Sequence, residues 1–171
     1  MRAILILPMV LILTLAAGSV ASELPEPGPP FPEEVVFHAL DSDATFTMSE
    51  FRGRPVLLTF WASWCAPCRV ELPELARLYS ELAGRGFVLI TVNVDQNPAM
   101  GQRFLANLGI SVPVYRLHPL DTQRLGIDAL PANVLLDTDG RFVQAFKGYA
   151  PETVDQIRRL VLRLMAQDNG A

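Results

Sequence analysis

The sequence predicts an α/β fold, in which a central mixed β-sheet has helices on both faces. Residues 56–61 and 87–94 form near-continuous apolar runs rich in β-branched and aromatic side chains, as in strands that are covered on both sides. A helical pattern joins these runs, which is typical of a parallel strand–helix–strand unit. Two later apolar runs flank the turn sequence at 137–140 and predict an antiparallel hairpin, so the sheet is mixed.

An N-terminal hairpin precedes the first of the buried strands. Residues 35–40 and 45–48 lie on either side of an Asp-Ser-Asp sequence, whose side chains favour a turn. The crossover helix that follows the first buried strand carries Leu75, Leu78 and Leu82 at helical spacing, and two glycines after it supply a stop.

The second half of the chain continues the alternation of strands and helices. Residues 98–108 predict a second helix, because a proline suits its first turn and a glycine follows its end. The short apolar segment 112–117 predicts a strand, and residues 133–136 and 141–146 predict the antiparallel hairpin. The last helix begins at Pro151 and has an apolar stripe along one face.

The length of 171 residues favours a single folded domain. The N-terminal segment indicates that this domain is exported. Residues 1–21 have a positive start, an apolar stretch and a small-residue cleavage site, which predict a secretory signal; an uncleaved membrane anchor remains the alternative. Residues 22–32 form a Pro-rich linker, residues 33–166 the domain, and residues 167–171 a disordered tail. The net charge of −4 argues against nucleic acid as a partner.

Cys65 and Cys68 are the only two cysteines of the chain, and they lie where a strand gives way to a helix. A disulfide across two intervening residues closes too small a loop to constrain the unfolded chain much, so a redox role is favoured over a structural one. Backbone N–H groups at the helix start stabilise the Cys65 thiolate; lowering a thiol pKa from about 8.5 to about 7 raises the ionised fraction from roughly 3% to half. We predict Cys65 as the nucleophile and Cys68, one turn deeper, as the resolving thiol, with no cofactor besides this pair.

Metal binding is the main alternative to redox chemistry. A structural zinc site needs four ligands, and the chain offers two Cys and two His without a second paired cluster. A copper site that joins the cysteines to Met48, Met100 or His118 remains chemically open, as in a copper-binding or metal-delivery module. We otherwise expect no metal.

Three motifs occur in order along the chain. They are FWASWCAPC at 60–68, VNVD at 92–95, and Leu130-Pro131 before a strand that ends in DTDG at 137–140. With this set, the region 33–165 resembles the exported TlpA/ResA/DsbE-type thioredoxin-like thiol–disulfide oxidoreductases. The resemblance implies a thioredoxin-like three-layer sandwich with an N-terminal β-hairpin extension.

The resemblance also implies where a substrate binds. In this family the proline at the position of Pro131 is cis and lies beside the first cysteine, and the backbone of the preceding residue, here Leu130, pairs with an extended substrate segment. Trp64, which abuts Cys65, is expected at the exposed rim around the sulfur. The candidate substrate-contacting residues are therefore Trp64, Pro67, Leu130 and Pro131.

A further residue is implied for proton transfer. Thioredoxins carry a buried aspartate six residues before the first cysteine, where this chain has Thr59. In the ResA-like branch a glutamate three residues after the second cysteine assists proton movement, and that position is Glu71; a solvated helix charge is the alternative. The chain departs from the family after the cis proline, where Ala132-Asn133 replaces the usual threonine.

The resemblance favours a reductant of protein disulfides in the periplasm or another extracytoplasmic space. Its expected partners are a protein thiol or disulfide substrate, such as the haem-binding cysteines of apocytochrome c during cytochrome c maturation, and a membrane electron-relay reductant that recharges it. We expect a monomer with N-terminal membrane association if the anchor is retained. The direction does not follow from the residues alone, since about 30 mV, or 1.4 kcal/mol, could reverse net electron flow.

Overall fold

A mixed β-sheet runs through the part of the chain that the computed structural model describes, residues 24–168. The predicted signal segment at 1–21 and the last three residues of the predicted tail lie outside the described residues. The strands are β1 (Val36–Ala39), β2 (Thr45–Thr47), β3 (Val56–Trp61), β4 (Val88–Asn93), β5 (Val114–Arg116), β6 (Ala132–Leu136) and β7 (Phe142–Lys147). The α-helices are α1 (Cys68–Leu82), α2 (Pro98–Leu108), α3 (Pro119–Arg124) and α4 (Thr153–Asp168). Within residues 24–168, no helix combines the length and the apolar character that crossing a membrane requires.

The sheet has the order β2-β1-β5-β4-β3-β6-β7, which puts β3 between β4 and β6. β3 is parallel to β4 and antiparallel to β6, and β4 is parallel to β5. Every residue of β3 and β4 is buried, as their continuous apolar runs predict. The predicted mixed sheet, its parallel pair and its N-terminal hairpin of β1 and β2 are therefore confirmed.

Both faces of the sheet are covered. On one face, β3 packs with α1 and α4 around Leu57, Leu78 and Ile157. The opposite face packs against Met48 and Phe31, which lie outside the strands, and against the segment around α3. A third cluster, at the start of α1, contains the two cysteines and the ring of Trp61, which stacks on Phe104 of α2 at 5.6 Å. The two cysteines thus lie among closely packed apolar side chains.

Helix α3 is an element that the sequence interpretation missed. It has six residues and none of them is buried, so it has no apolar stripe that periodicity could detect. The local signals for it were present: His118 caps the helix by accepting a hydrogen bond from the N–H of Leu120, Pro119 occupies the first turn, and Gly126 follows its end with φ of +68°.

The C-terminal part of the Pro-rich segment packs against the domain. The folded region therefore begins before the predicted boundary at residue 33. The N–H of Gly28 donates to Phe142, and the N–H of Phe31 donates to Gly140, at 2.7 and 2.9 Å. Phe31 is 2% exposed, so it anchors the segment in the core. The segment docks because Gly28 and Phe31 keep donors between the prolines. At the other end, α4 continues to Asp168, past the predicted end of the domain at 166.

Candidate active site

Cys65 and Cys68 form a disulfide. Cys65 lies just before α1, and Cys68 is the first residue of α1. Cys65 is 4% exposed and Cys68 is fully buried, which agrees with the deeper position predicted for Cys68. The N–H of Cys68 points to the sulfur of Cys65, with N and Sγ 3.2 Å apart. After reduction, this donor and the N-terminal end of the helix stabilise a thiolate at Cys65.

The loop that leads to Cys65 is tied to β4 by a buried aspartate. Both carboxylate oxygens of Asp95 accept hydrogen bonds from the N–H of Ser63, at 3.2 and 3.0 Å, and one also accepts from the Ser63 hydroxyl at 3.0 Å. Asn93 supports this carboxylate with a donor at 2.9 Å and accepts from the Asp95 N–H at 3.2 Å. Asp95 therefore positions the segment two residues before Cys65, a role that the sequence motif alone did not indicate.

Gly101 of α2 lies flat against this network. A Cβ atom at Gly101 would approach Nδ2 of Asn93 to 2.6 Å. We expect Gly101→Ala to lower the free energy of unfolding by about 1–2 kcal/mol, because overpacking and disturbed hydrogen bonds outweigh the gain of about 1 kcal/mol in helix propensity. Urea denaturation of the oxidised protein measures the change.

Gly84→Ala is the matched control for that substitution. A Cβ there meets nothing within 4 Å, so we expect unchanged or slightly higher stability. A Gly101→Ala protein as stable as the wild type would mean that the Asn93 side chain has room to move.

A groove beside the disulfide brings together most of the predicted substrate residues. The Leu130–Pro131 peptide bond is cis, as the resemblance implies. The groove has a volume of about 530 Å³, and its lining includes Trp64, Pro67 and Leu130 together with Cys65, whereas Pro131 is not part of the lining. Trp64 is 71% exposed, which confirms its expected place at the rim.

The rest of the groove lining comes from three places. Ala66 lies between the two cysteines and Val94 follows β4, while α3 and the loop after it contribute Thr122, Ile127, Asp128 and Ala129. Asp128 is paired with Lys147, whose Nζ lies 2.8 Å from Oδ1. The wall is otherwise mainly apolar, so the space beside Cys65 suits a peptide with apolar side chains.

Glu71 lies on α1, one turn after Cys68, and is fully buried. The side-chain amide of Asn133, on β6, donates to both carboxylate oxygens, at 3.1 and 3.0 Å. Burial raises the pKa of Glu71 from 4.5 to about 7, while the hydrogen bond from Asn133 lowers it and the charge of Glu74 raises it further. The alternative of a solvated helix charge is therefore wrong, and Glu71 can exchange a proton near neutral pH.

Residues 26–161 match the family model described as Redoxin. The chain belongs to the Redoxin family. Within it, the chain is similar to the thiol-disulfide oxidoreductase ResA of Bacillus subtilis, with 31% identity over 112 residues, which cover 63% of this chain and 60% of ResA. It is also similar to the thiol:disulfide interchange protein HelX of Rhodobacter capsulatus, with 36% identity over 132 residues, which cover 74% of this chain and 70% of HelX.

These relatives confirm the family resemblance of the three motifs. They are named a thiol-disulfide oxidoreductase and a thiol:disulfide interchange protein, and the match spans 60% and 70% of their lengths. A crystal structure of a thiol:disulfide interchange protein of the thioredoxin family from Chlorobium tepidum has a TM-score of 0.66 and 22% identity. The structural match covers 82% of this chain and 97% of the Chlorobium tepidum chain. The predicted thioredoxin-like fold is therefore confirmed.

Neither methionine considered for copper belongs to the buried cluster that holds Cys65 and Cys68. Met48 is buried in the apolar cluster on the other face of the sheet, and the His118 ring caps α3. Met100 is exposed on α2. Within residues 24–168, no three His, Cys, Asp or Glu side chains form a group that could hold a metal ion.

Asn133 is a second site residue, after Asp95, whose role the sequence interpretation missed. It drew notice only as a departure from the family pattern after the cis proline. In the sheet, Asn133 is the register partner of Thr59, the residue at the position of the thioredoxin aspartate. Thr59 carries no titratable group, so the ionisable side chain of this buried layer is supplied by Glu71 from the helix above.

Proposed function

We propose that the protein is an extracytoplasmic reductant of protein disulfides, with the haem-binding cysteines of apocytochrome c as its target. The observation that carries this proposal is the Cys65–Cys68 disulfide, whose first sulfur borders an open, largely apolar groove while the second is buried beneath it. A sulfur that borders the groove can attack a substrate sulfur or be attacked by one, and the buried neighbour can then resolve the mixed disulfide.

In the reducing direction the thiolate of Cys65 attacks one sulfur of the substrate disulfide. A bond forms between Cys65 and that sulfur, and the other substrate sulfur leaves as a thiolate that takes up a proton. Cys68 then attacks the sulfur of Cys65, the Cys65–Cys68 disulfide forms, and the second substrate thiolate is released. Two electrons pass from the dithiol to the substrate, which becomes a dithiol.

Glu71 is proposed to accept the proton of Cys68 in the second step. The attack requires a Cys68 thiolate, and the burial of this sulfur disfavours its ionisation. A carboxylate one turn along the same helix, with a pKa of about 7, has a proton affinity suited to this transfer at neutral pH.

The substrate segment is proposed to bind as an added strand beside Leu130. The cis peptide bond precedes β6, and the groove joins Leu130, Trp64 and Pro67 to the sulfur of Cys65. Main-chain pairing tolerates varied sequences, and the apolar lining accepts the flanking side chains. A reductant in an oxidising compartment must be recharged, so a membrane electron-relay dithiol is the proposed second partner.

Equilibration with a peptide tests the direction. The protein with both cysteines reduced is mixed with an equal amount of an oxidised Cys-x-x-Cys-His peptide, and both redox states are read by thiol alkylation and mass spectrometry. We expect the peptide to end mainly as dithiol and the protein as disulfide, with the same end point from the opposite starting mixture. A mixture that settles with oxidised peptide and reduced protein would overturn the reducing role.

A further inference from the structure

Glu71 and Asn133 form a closed pair between α1 and the sheet. Both side chains are fully buried. Nδ2 of Asn133 lies 3.1 Å from Oε1 and 3.0 Å from Oε2 of Glu71, so one amide group faces both carboxylate oxygens. Among the described residues, Oδ1 of the same amide is buried without a hydrogen-bond partner.

The two ends of this amide suit the two protonation states of a carboxyl group. An ionised carboxylate only accepts hydrogen bonds, which the Nδ2 group donates. A protonated carboxyl has an O–H that needs an acceptor, and a half-turn of the asparagine amide about its last side-chain bond puts Oδ1 in the place of Nδ2. An apolar side chain of the same shape could pair with neither state.

We propose that Asn133 is a positioning residue for Glu71, whose amide holds the carboxyl group one turn after Cys68 in both of its protonation states. Nδ2 donates to the carboxylate, and Oδ1 accepts from the acid after the amide has turned. The proposal rests on the proposed proton transfer by Glu71, because Asn133 acts on the thiols only through that carboxyl group.

The surroundings of Glu71 leave Asn133 as its neutral polar partner on the sheet side. Asn133 reaches it from β6, and Thr59, the register partner of Asn133 on β3, does not titrate. On α1 itself, the charged neighbour is Glu74, which raises the pKa of Glu71. Once the disulfide is reduced, the thiol of Cys68 is a further ionisable group, one turn before Glu71 on the same helix.

The pH dependence of thiol–disulfide exchange tests the proposal in four proteins: the wild type, Glu71→Gln, Asn133→Leu and the double variant. Leucine matches asparagine in shape and removes both ends of the amide. Loss of a hydrogen bond to the charged carboxylate should raise the pKa of Glu71. The limb of the pH–rate profile that Glu71 causes should therefore move to higher pH by about one unit. In the Glu71→Gln background the same Asn133→Leu change should leave the profile unmoved.

The outcomes separate the inference from the function on which it rests. If Glu71→Gln removes the limb but Asn133→Leu does not shift it, or if Asn133→Leu shifts the profile equally in both backgrounds, the role of Asn133 is overturned and that of Glu71 stands. If Glu71→Gln leaves the limb in place, the proposed proton transfer by Glu71 itself is overturned.

The wild-type protein provides a test that does not depend on the folding of a variant. In the oxidised protein, the side-chain NH₂ resonances of Asn133 should titrate between about pH 5 and 9 with the midpoint of the Glu71 carboxyl carbon. In Glu71→Gln they should be constant. Asn133 resonances that stay constant in the wild type while Glu71 titrates would contradict a partner that turns with the protonation state.

Discussion

A Cys65→Ser protein is expected to lose thiol–disulfide exchange, to below about one-thousandth of the wild-type rate, because the remaining thiol, Cys68, is badly placed to form the covalent intermediate. Cys68 is a poor substitute, since its sulfur is fully buried while that of Cys65 borders the groove. A Cys68→Ser protein should retain the first attack and lose the second. It should therefore accumulate mixed disulfides with its substrates.

Non-reducing electrophoresis of extracts, followed by mass spectrometry of the trapped species, measures this difference. The double variant Cys65→Ser/Cys68→Ser controls for non-covalent association. Adducts that form with Cys65→Ser and are missing with Cys68→Ser would show that the two sulfurs have exchanged roles. The trapped proteins would also identify the substrate, and an apocytochrome c among them would support the proposed target.

The central strands beside the cysteines were predictable because their burial produces continuous apolar runs in the sequence. β3 and β4 are covered on both faces, so nearly all of their side chains are apolar and no alternation interrupts the pattern. α3 has no buried side chain, and its hydrophobic pattern is correspondingly absent. Docking of Phe31 was missed because the surrounding prolines indicate an extended segment but do not indicate what it contacts.

The site divides in the same way between local and distant contacts. The cysteine pair and the start of the helix at Cys68 are adjacent in the sequence, so the local sequence pattern was sufficient to predict both. By contrast, Asn133 is 62 residues from Glu71, and Asp95 is 32 residues from Ser63. These pairs meet only because strand register and helix packing align them, which no local pattern contains.

Burial of Glu71 also has a consequence for stability, which should decrease as the pH rises through the range between its unfolded and folded pKa values. Below about pH 4.5 the group is protonated in both states and contributes no pH dependence. Between about 4.5 and 7 the unfolded chain releases the proton while the folded protein keeps it, so the unfolded state gains an increasing advantage. Above about 7 both states are ionised and the loss is complete, at about 3 kcal/mol.

Comparison with Glu71→Gln isolates this loss from the titration of other groups. Glutamine keeps the shape and can accept the Asn133 hydrogen bond, but it carries no charge at any pH. The free energy of unfolding of Glu71→Gln minus that of the oxidised wild type should therefore rise by about 3 kcal/mol between about pH 4 and pH 8. Glu34→Gln, at an exposed glutamate, should show almost no such change in urea titrations at the two pH values. A constant difference for Glu71→Gln would mean that the folded protein leaves the proton affinity of Glu71 close to that of the unfolded chain, and the Glu71 carboxylate would then be too weak a base to take the proton of Cys68 at neutral pH.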